Sequence, residues 1–331
     1  MNPLEPPERS LVDVHLDEGH LARALRSDVQ VGFARDEVVL PPKWFYDDRG
    51  SDLFDEITRL EEYYPTRRER EIIHREAATI AAFGATTLVE LGSGTSEKTR
   101  LLLDAMVADG RLRRYVPFDV SEAFLRESAA TLAGQYPDLE VRAVVGDFER
   151  HLGALADLPA DGPRLVAFLG GTIGNLDPDQ RSAFFAALRA ALRPGDALLL
   201  GTDLVKDPAR LVRAYDDAAG VTAEFDKNVL AVINASLHAD FDLDAFDHVA
   251  LWDPDAEWIE MRLRSRRAQT VTVADLDLVV TLAGGEEIRT EISAKFRRPK
   301  VEAELAAAGF GLASWWTDAA GDFALSLSVA G

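Results

Sequence analysis

The sequence predicts an α/β fold, a doubly wound core on a parallel sheet joined to a smaller α+β lobe. From Thr87 to Leu200, short apolar runs alternate with helical segments, which is the pattern of βαβ units whose strands are covered on both faces. After Asp203 the texture changes to a long helical stretch and then to two-residue alternation without intervening helices, as in an antiparallel sheet. The tail returns to a helix and a closing hairpin.

In chain order, residues 1–20 are Pro-rich and acidic and read as a flexible arm, followed by helical spacing from His20 to Val29. An aromatic-rich stretch runs from Leu40 to Arg70, with a short helix over Ser51–Ile57 that Tyr63-Tyr64-Pro65 ends. Core strands are expected at Thr87–Leu91, Tyr115–Val120, Val141–Val145, Leu165–Leu169 and Ala197–Leu200. The helices between them are expected at Ser96–Val107, Glu122–Leu132 and Asp179–Leu192. One long helix is read from Asp207 to about Asn234, then strands at Trp258–Arg264 and Thr270–Val273. Helix Lys300–Ala308, strand Ala313–Thr317, a turn at Asp318–Gly321 and strand Asp322–Val329 complete the chain. The domain reading is therefore an arm over 1–20, a core with an N-terminal helical cap over 21–204 completed by 296–331, and a substrate-binding lobe over 205–295.

Composition excludes several classes. With 36 Lys and Arg against 57 Asp and Glu, the net charge of −21 repels phosphate backbones and anionic membrane surfaces, so neither nucleic acid nor membrane is an expected partner. The absence of cysteine removes thiolate metal sites and cysteine nucleophiles, and no metal site is expected. No secretory leader or spanning segment is apparent, which gives a cytoplasmic address, and without a coiled-coil pattern a monomer is expected. No Gly-x-Ser-x-Gly or His-Glu-x-x-His occurs, and the six histidines are scattered.

The strongest local signal is Val89-Glu90-Leu91-Gly92-Ser93-Gly94-Thr95-Ser96, between an apolar strand and a helix. Gly92 and Gly94 permit a tight turn and a close backbone approach to a ligand at the carboxyl edge of the sheet. Glu97 stands where a dinucleotide loop wants its third glycine and a phosphate-binding loop its second, and an acid there opposes phosphate. S-adenosylmethionine carries no phosphate and has a sulfonium cation, so an acidic turn suits it. Asp119, at the end of the next strand, can accept the ribose hydroxyls, while Asp147 and Phe148 offer a carboxylate and a ring to adenine.

Longer strings point further. Leu40-Pro41-Pro42-Lys43-Trp44-Phe45-Tyr46-Asp47, Glu62-Tyr63-Tyr64-Pro65-Thr66-Arg67, the glycine string extended to Arg100, Gly201–Asp207 and Ala214–Gly220 together resemble the L-histidine Nα-methyltransferases of ergothioneine biosynthesis, from about residue 22 to the end. The resemblance implies a Rossmann-like class I methyltransferase core with an antiparallel closing strand. It implies that Tyr46, Gly92, Lys98, Asp119, Asp147 and Phe148 hold S-adenosylmethionine, with S-adenosylhomocysteine as product. It also implies that Tyr63, Asn175, Tyr215, Glu291 and Ser293 hold the amino acid. Mild departures occur at Gly171 and Ala294, neither a ligand position.

The expected chemistry is an in-line methyl displacement, in which positioning supplies most of the rate and Tyr46 and Tyr63 or a water relay the proton. Glu291 and Ser293 lie two apart on a strand and face the same way, so they can bracket two imidazole nitrogens. By pattern alone that side reads as a solvated strand face, since Lys295 continues it. Met261 shares the face of Ile259 and Leu263 and reads as core first, pocket wall second. Rival readings are an Nα-methyltransferase of another aromatic amino acid and, more remotely, a nucleotide-binding ATPase or a non-catalytic binding module.

Overall fold

Residues 10–17, 19–93, 97–159 and 161–331 are described by a computed structural model. Strands β1 (Ser10–Val14), β3 (Thr87–Leu91), β4 (Arg114–Asp119), β5 (Glu140–Val145), β6 (Arg164–Phe168), β7 (Ala197–Asp203), β13 (Phe310–Thr317) and β14 (Phe323–Ala330) form the main sheet in the order β1-β5-β4-β3-β6-β7-β14-β13. The strands from β1 to β7 in this sheet pair in parallel, and β14 enters antiparallel between β7 and β13. This is the expected Rossmann-like order with its antiparallel closing strand. Every residue of β3, β6 and β7 is buried, as the continuous apolar runs require for strands covered on both faces.

Helices α3 (Pro65–Ala81), α4 (Glu97–Asp109) and α5 (Glu122–Gln135) cover one face through Ile72, Ile73, Leu102 and Leu125. The other face carries α7 (Pro178–Ala191) and α10 (Arg298–Ala307) through Phe184, Leu188, Val301 and Leu305. One turn, α6 (Phe148–His151), follows β5. The sequence reading had no helix at α3, although Pro65 at its first turn and the spacing of Ile73, Ala77 and Ile80 announce one.

The lobe is a second sheet of β2 (Val38–Val39), β12 (Glu287–Ala294), β9 (Trp258–Ser265) and β8 (Phe246–Asp253), with a hairpin of β10 (Gln269–Val273) and β11 (Leu278–Leu282). Its helices are α8 (Pro208–Tyr215) and α9 (Val221–Leu237), and α1 (His20–Phe33) and α2 (Asp48–Ile57) pack with them.

Three expectations need correction. The arm is not loose throughout, because Ser10–Val14 pairs residue for residue with β5. The segment read as a helical cap on the core instead sends Leu25, Val29, Leu40, Phe45 and Ile57 into the same apolar cluster as Leu211, Val229 and Ile259 of the lobe. The single helix from Asp207 is two, broken where Gly220 adopts φ +76° and Asp217 accepts from the amides of Val221 and Thr222. Gly94, Thr95 and Ser96, with the expected helix start at Ser96, lie outside the described residues.

Arg164 shows how the sheet is anchored below the site. It is 1% exposed, its Nε donates to Asp196 Oδ2 at 2.8 Å and its guanidinium reaches the Ala191 carbonyl at 3.1 Å. Removing one member of a buried ion pair strands the other charge. Replacing Arg164 with Met is expected to destabilise the fold by about 3–5 kcal/mol, read by denaturant unfolding.

Candidate active site

The carboxyl end of β7 meets the end of β12, where the Phe296 amide donates to the Asp203 carbonyl, and the turn after β6 packs on β12 as well, so the core sheet and the lobe sheet supply the two walls of the candidate site. On the lobe wall, the β12–β9 register slips between Arg289 and Glu291, a bulge after which Glu291 stands opposite Met261 and Ser293 opposite Ile259. Glu291 and Ser293 are 8% and 6% exposed, so this face is closed rather than solvated, and Lys295 on the same side is 0% exposed. Met261, 2% exposed, belongs to the lobe core beside the pocket. Thr290, the residue at the bulge, donates to Asp226, with the Met261 carbonyl 3.0 Å from the same hydroxyl.

Polar groups behind this wall are closely linked. Tyr215 and Ser293 hydroxyls lie 2.7 Å apart, and Lys295 Nζ donates to both, at 2.8 and 2.9 Å. Lys295 also meets Asp203 Oδ2 at 3.0 Å. Asp203 accepts the Tyr64 hydroxyl at 2.9 Å and pairs with Lys206; burial pushes its carboxyl up, but Lys295 and Lys206 outweigh that and hold it below the ordinary range. His248 bonds Asp226 Oδ2 at 2.7 Å and the Tyr215 carbonyl at 2.7 Å, and despite burial the Asp226 contact raises its pKa. Burial raises the Glu291 carboxyl to about 8, with Lys295 and His248 opposing and Asp226 reinforcing.

Tyr63 stands between the walls. Its ring meets Tyr215 edge-on at 6.2 Å and Phe54 at 6.1 Å, and its hydroxyl feels the charges of both Glu291 and Glu69. Tyr46 packs its ring against Phe54 and Phe225 at the pocket mouth. Almost half of that residue, 46%, is open, and its hydroxyl feels Glu291, Tyr63 and Tyr215. Burial, reinforced by these neighbours, holds the phenols of Tyr46, Tyr63 and Tyr215 well above their ordinary value. Asn175, half-buried, ends a short helical turn after β6, and Gly174 beside it lies so close to β12 that a Cβ would come within 2.9 Å of the Ala294 carbonyl.

On the core wall, Gly92 follows β3 with φ +68°, its amide donates to the Phe118 carbonyl, and a Cβ there would meet nothing within 4 Å. Among the described residues nothing crowds that backbone. Asp119 and Asp147 are half-buried at the ends of the neighbouring strands, linked by Gly146 N–H to the Asp119 carbonyl at 2.8 Å. The Phe148 ring is partly buried against Phe168 and Phe184, at 5.3 and 6.1 Å, which leaves part of it for a base. Lys98 pairs with Glu69 of α3, and Glu69 accepts the Gly170 amide at 2.8 Å. Below the turn, Glu90 takes hydrogen bonds from Thr99 and Tyr115, and burial still raises its carboxyl to about 7.

This edge fits a methyl donor with an adenosine and an amino-acid end: strand-end carboxylates for its hydroxyls and amine, a ring, an open glycine turn, and one lysine. The profile of the histidine-specific, SAM-dependent methyltransferase family matches residues 25–330. The chain belongs to this family. The histidine N-alpha-methyltransferase of Mycolicibacterium smegmatis is 62% identical over 309 residues, 93% of this chain and 95% of the relative. The protein of the same name from Mycobacterium tuberculosis is 59% identical over 314 residues, 95% of this chain and 96% of the relative. Ergothioneine biosynthesis protein 1 of Schizosaccharomyces pombe is 32% identical over 243 residues, 70% of this chain but 31% of that protein.

In this S-adenosylmethionine-dependent methyltransferase Gly92, Lys98, Asp119, Asp147 and Phe148, expected at the cofactor, lie at or after the carboxyl ends of β3, β4 and β5. Tyr63, Tyr215, Glu291 and Ser293 converge, with Tyr46 at the mouth and Asn175 beside β12. Sequence reasoning missed Glu69, Asp203, Lys206 and the inward course of Lys295. Hydrophilic spacing gave no signal for buried charge, although Glu69 follows Pro65 by one helical turn and so had to share its buried face.

Two outcomes follow. Replacing Glu69 with Ala leaves Lys98 and the Gly170 amide unpartnered and should weaken S-adenosylhomocysteine binding about tenfold, a typical effect of removing a partner that orients a binding residue, read by calorimetry. For Glu291, a folded pKa of about 8 above the ordinary 4.5 means the unfolded chain releases its proton first, so this group lowers stability progressively as pH rises between those values. The ligand-free Glu291→Gln variant should therefore gain stability over wild type between pH 5 and 8; a constant difference across that range would contradict it.

Proposed function

We propose that the protein transfers methyl groups from S-adenosylmethionine to the α-amino nitrogen of L-histidine, successively to the trimethyl betaine, as a step of ergothioneine biosynthesis. The observation that carries the substrate is the closed pair on β12: a buried Glu291 and, two residues on, Ser293, both facing the cleft beside Tyr63 and Tyr215. A carboxylate and a hydroxyl at that spacing match the two nitrogens of an imidazole, and a phenol or indole would leave one of them unpaired in a dry pocket. The names of the mycobacterial relatives agree with this choice.

Gly92, Lys98, Asp119, Asp147 and Phe148 would hold the donor, with Tyr46 closing over its reactive end. Bound there, it supplies an electrophilic methyl group. Asn175 and Tyr63 would orient the amino acid from the loop after β6 and from the start of α3, leaving the nitrogen in line with the methyl carbon. An α-amine titrates at about 7.7–8.0, so a useful neutral fraction is available near pH 7 without a strong base. Phenols held well above their ordinary value do not ionise to serve as one. Tyr46 and Tyr63 therefore relay a proton by hydrogen bonds to water at the open side of Tyr46. The quaternary ammonium left by a third transfer is stabilised by the faces of Tyr63 and Tyr215.

A panel of the common amino acids with labelled methyl donor tests the assignment: histidine should be the substrate with the highest turnover, and preference for another amino acid would refute it. Replacing Glu291 with Ala should raise the histidine KM by at least about 100-fold, the order lost when a buried polar partner is removed, with donor affinity kept. Steady-state kinetics beside calorimetry reads both.

A further inference from the structure

Lys295 sits under the pocket with no exposed surface, and its ammonium has three hydrogens for three partners: the Tyr215 hydroxyl, Ser293 Oγ and Asp203 Oδ2. An ammonium only donates, so each hydroxyl has one acceptor position filled by Lys295. The hydroxyls are also 2.7 Å apart, and one must donate to the other. A phenol is more acidic than an alkanol and is the better donor, which makes Tyr215 the donor and Ser293 the acceptor. Both acceptor positions of Ser293 are then filled, and only its own hydrogen remains to face the cleft.

We propose that Lys295, held by Asp203, is a positioning residue that makes Ser293 a donor-only group, so that the pocket selects a neutral imidazole presenting a lone-pair nitrogen to Ser293 and its N–H to Glu291. This rests on the histidine reading above. A ring with hydrogen at both nitrogens sets an N–H against a hydroxyl that cannot accept it. A ring with C–H in place of the acceptor nitrogen leaves the Ser293 hydrogen unpaired, and either mismatch is costly away from water. Asp203 matters because it fixes the ammonium: without that anchor, Lys295 would be free to turn away from the hydroxyls.

The Lys295→Met variant keeps the length of the side chain and removes its donors. Its kcat/KM is compared with that of wild type for L-histidine and for the pyrrolylalanines, which keep one ring N–H and carry C–H at the other nitrogen's place. Wild type should favour histidine by at least about 100-fold, and the variant's preference should fall at least tenfold, because Ser293 is then free to turn. In a Ser293→Ala background, Lys295→Met should not change the preference further. Equal loss on both substrates, or an unchanged preference, overturns the proposal. S-adenosylhomocysteine affinity reports the fold. If Lys295→Met does not bind that product, Tyr215→Phe, which also empties an acceptor position on Ser293, must lower the preference or the proposal fails. A wild-type enzyme that ignores histidine would refute the substrate reading; a wild type that prefers it beside an unmoved variant refutes the role of Lys295 alone.

Discussion

The site depends on one buried carboxylate at the seam of the two lobes. Asp203 ends β7 of the core sheet, and its backbone carbonyl takes the Phe296 amide at 2.8 Å just beyond β12 of the lobe. Its side chain takes Tyr64, Lys206 and Lys295. A lone buried anion costs several kcal/mol, and here two ammonium groups and a phenol meet that cost in fixed directions. The partners cannot relax independently. Moving Asp203 would release Lys295 from Tyr215 and Ser293 and Lys206 from Tyr64, so the substrate wall is tied to the sheet that carries the donor edge.

A second carboxylate performs the matching task on the donor side. Tyr64 and Glu69 lie on one short stretch at the start of α3; the first reaches Asp203, the second holds Gly170 and Lys98. Gly201 and Asp203 alternate along β7 on the same face, and a Cβ at Gly201 would approach Glu69 Oε1 to 2.2 Å. That glycine is needed for close approach rather than for backbone freedom. With Tyr63 just ahead of this stretch and facing both Glu291 and Glu69, one peptide sets the distance between the two halves of the reaction.

How much of this was legible follows from the kind of signal each feature leaves. The core strands and the glycine turn were, because a buried parallel strand is a continuous apolar run and a tight turn needs glycine. The break at Asp216–Gly220 was written in its Asp and Gly residues but hidden by helical spacing on either side. Strand β1 left no trace, since an edge strand with polar neighbours looks like an arm. Lys295 was misread for a deeper reason: a two-residue alternation tells which side chains share a face, not whether that face meets water. Only the arrival of Tyr215 from α8 and Asp203 from β7 closes it. Glu69 and Asp203 were invisible likewise, because their burial depends on distant partners, Lys98 and Gly170 for one and Tyr64 and Lys295 for the other, and the nearby Lys206 alone reads as a surface pair.

The titration pattern of the cleft constrains how the reaction proceeds. Three phenols are pushed beyond the range in which they ionise, and the one carboxyl on the substrate wall is raised to about 8 by burial. In the proposed orientation Glu291 meets the imidazole rather than the ammonium, and phenols that stay protonated leave the amine end without a strong base. Lys295 orients Tyr215 and Ser293 at the ring end, while Tyr46 and Tyr63 stay protonated and so would direct an amine that arrives neutral without extracting its proton beforehand. In the proposed reaction a transfer would create a cation beside the tyrosine faces, and the resulting acidic ammonium would lose its proton to water past the open flank of Tyr46 before any further transfer. The buried charges thus do their work by fixing geometry, and the rate comes from alignment of the nitrogen with the methyl carbon.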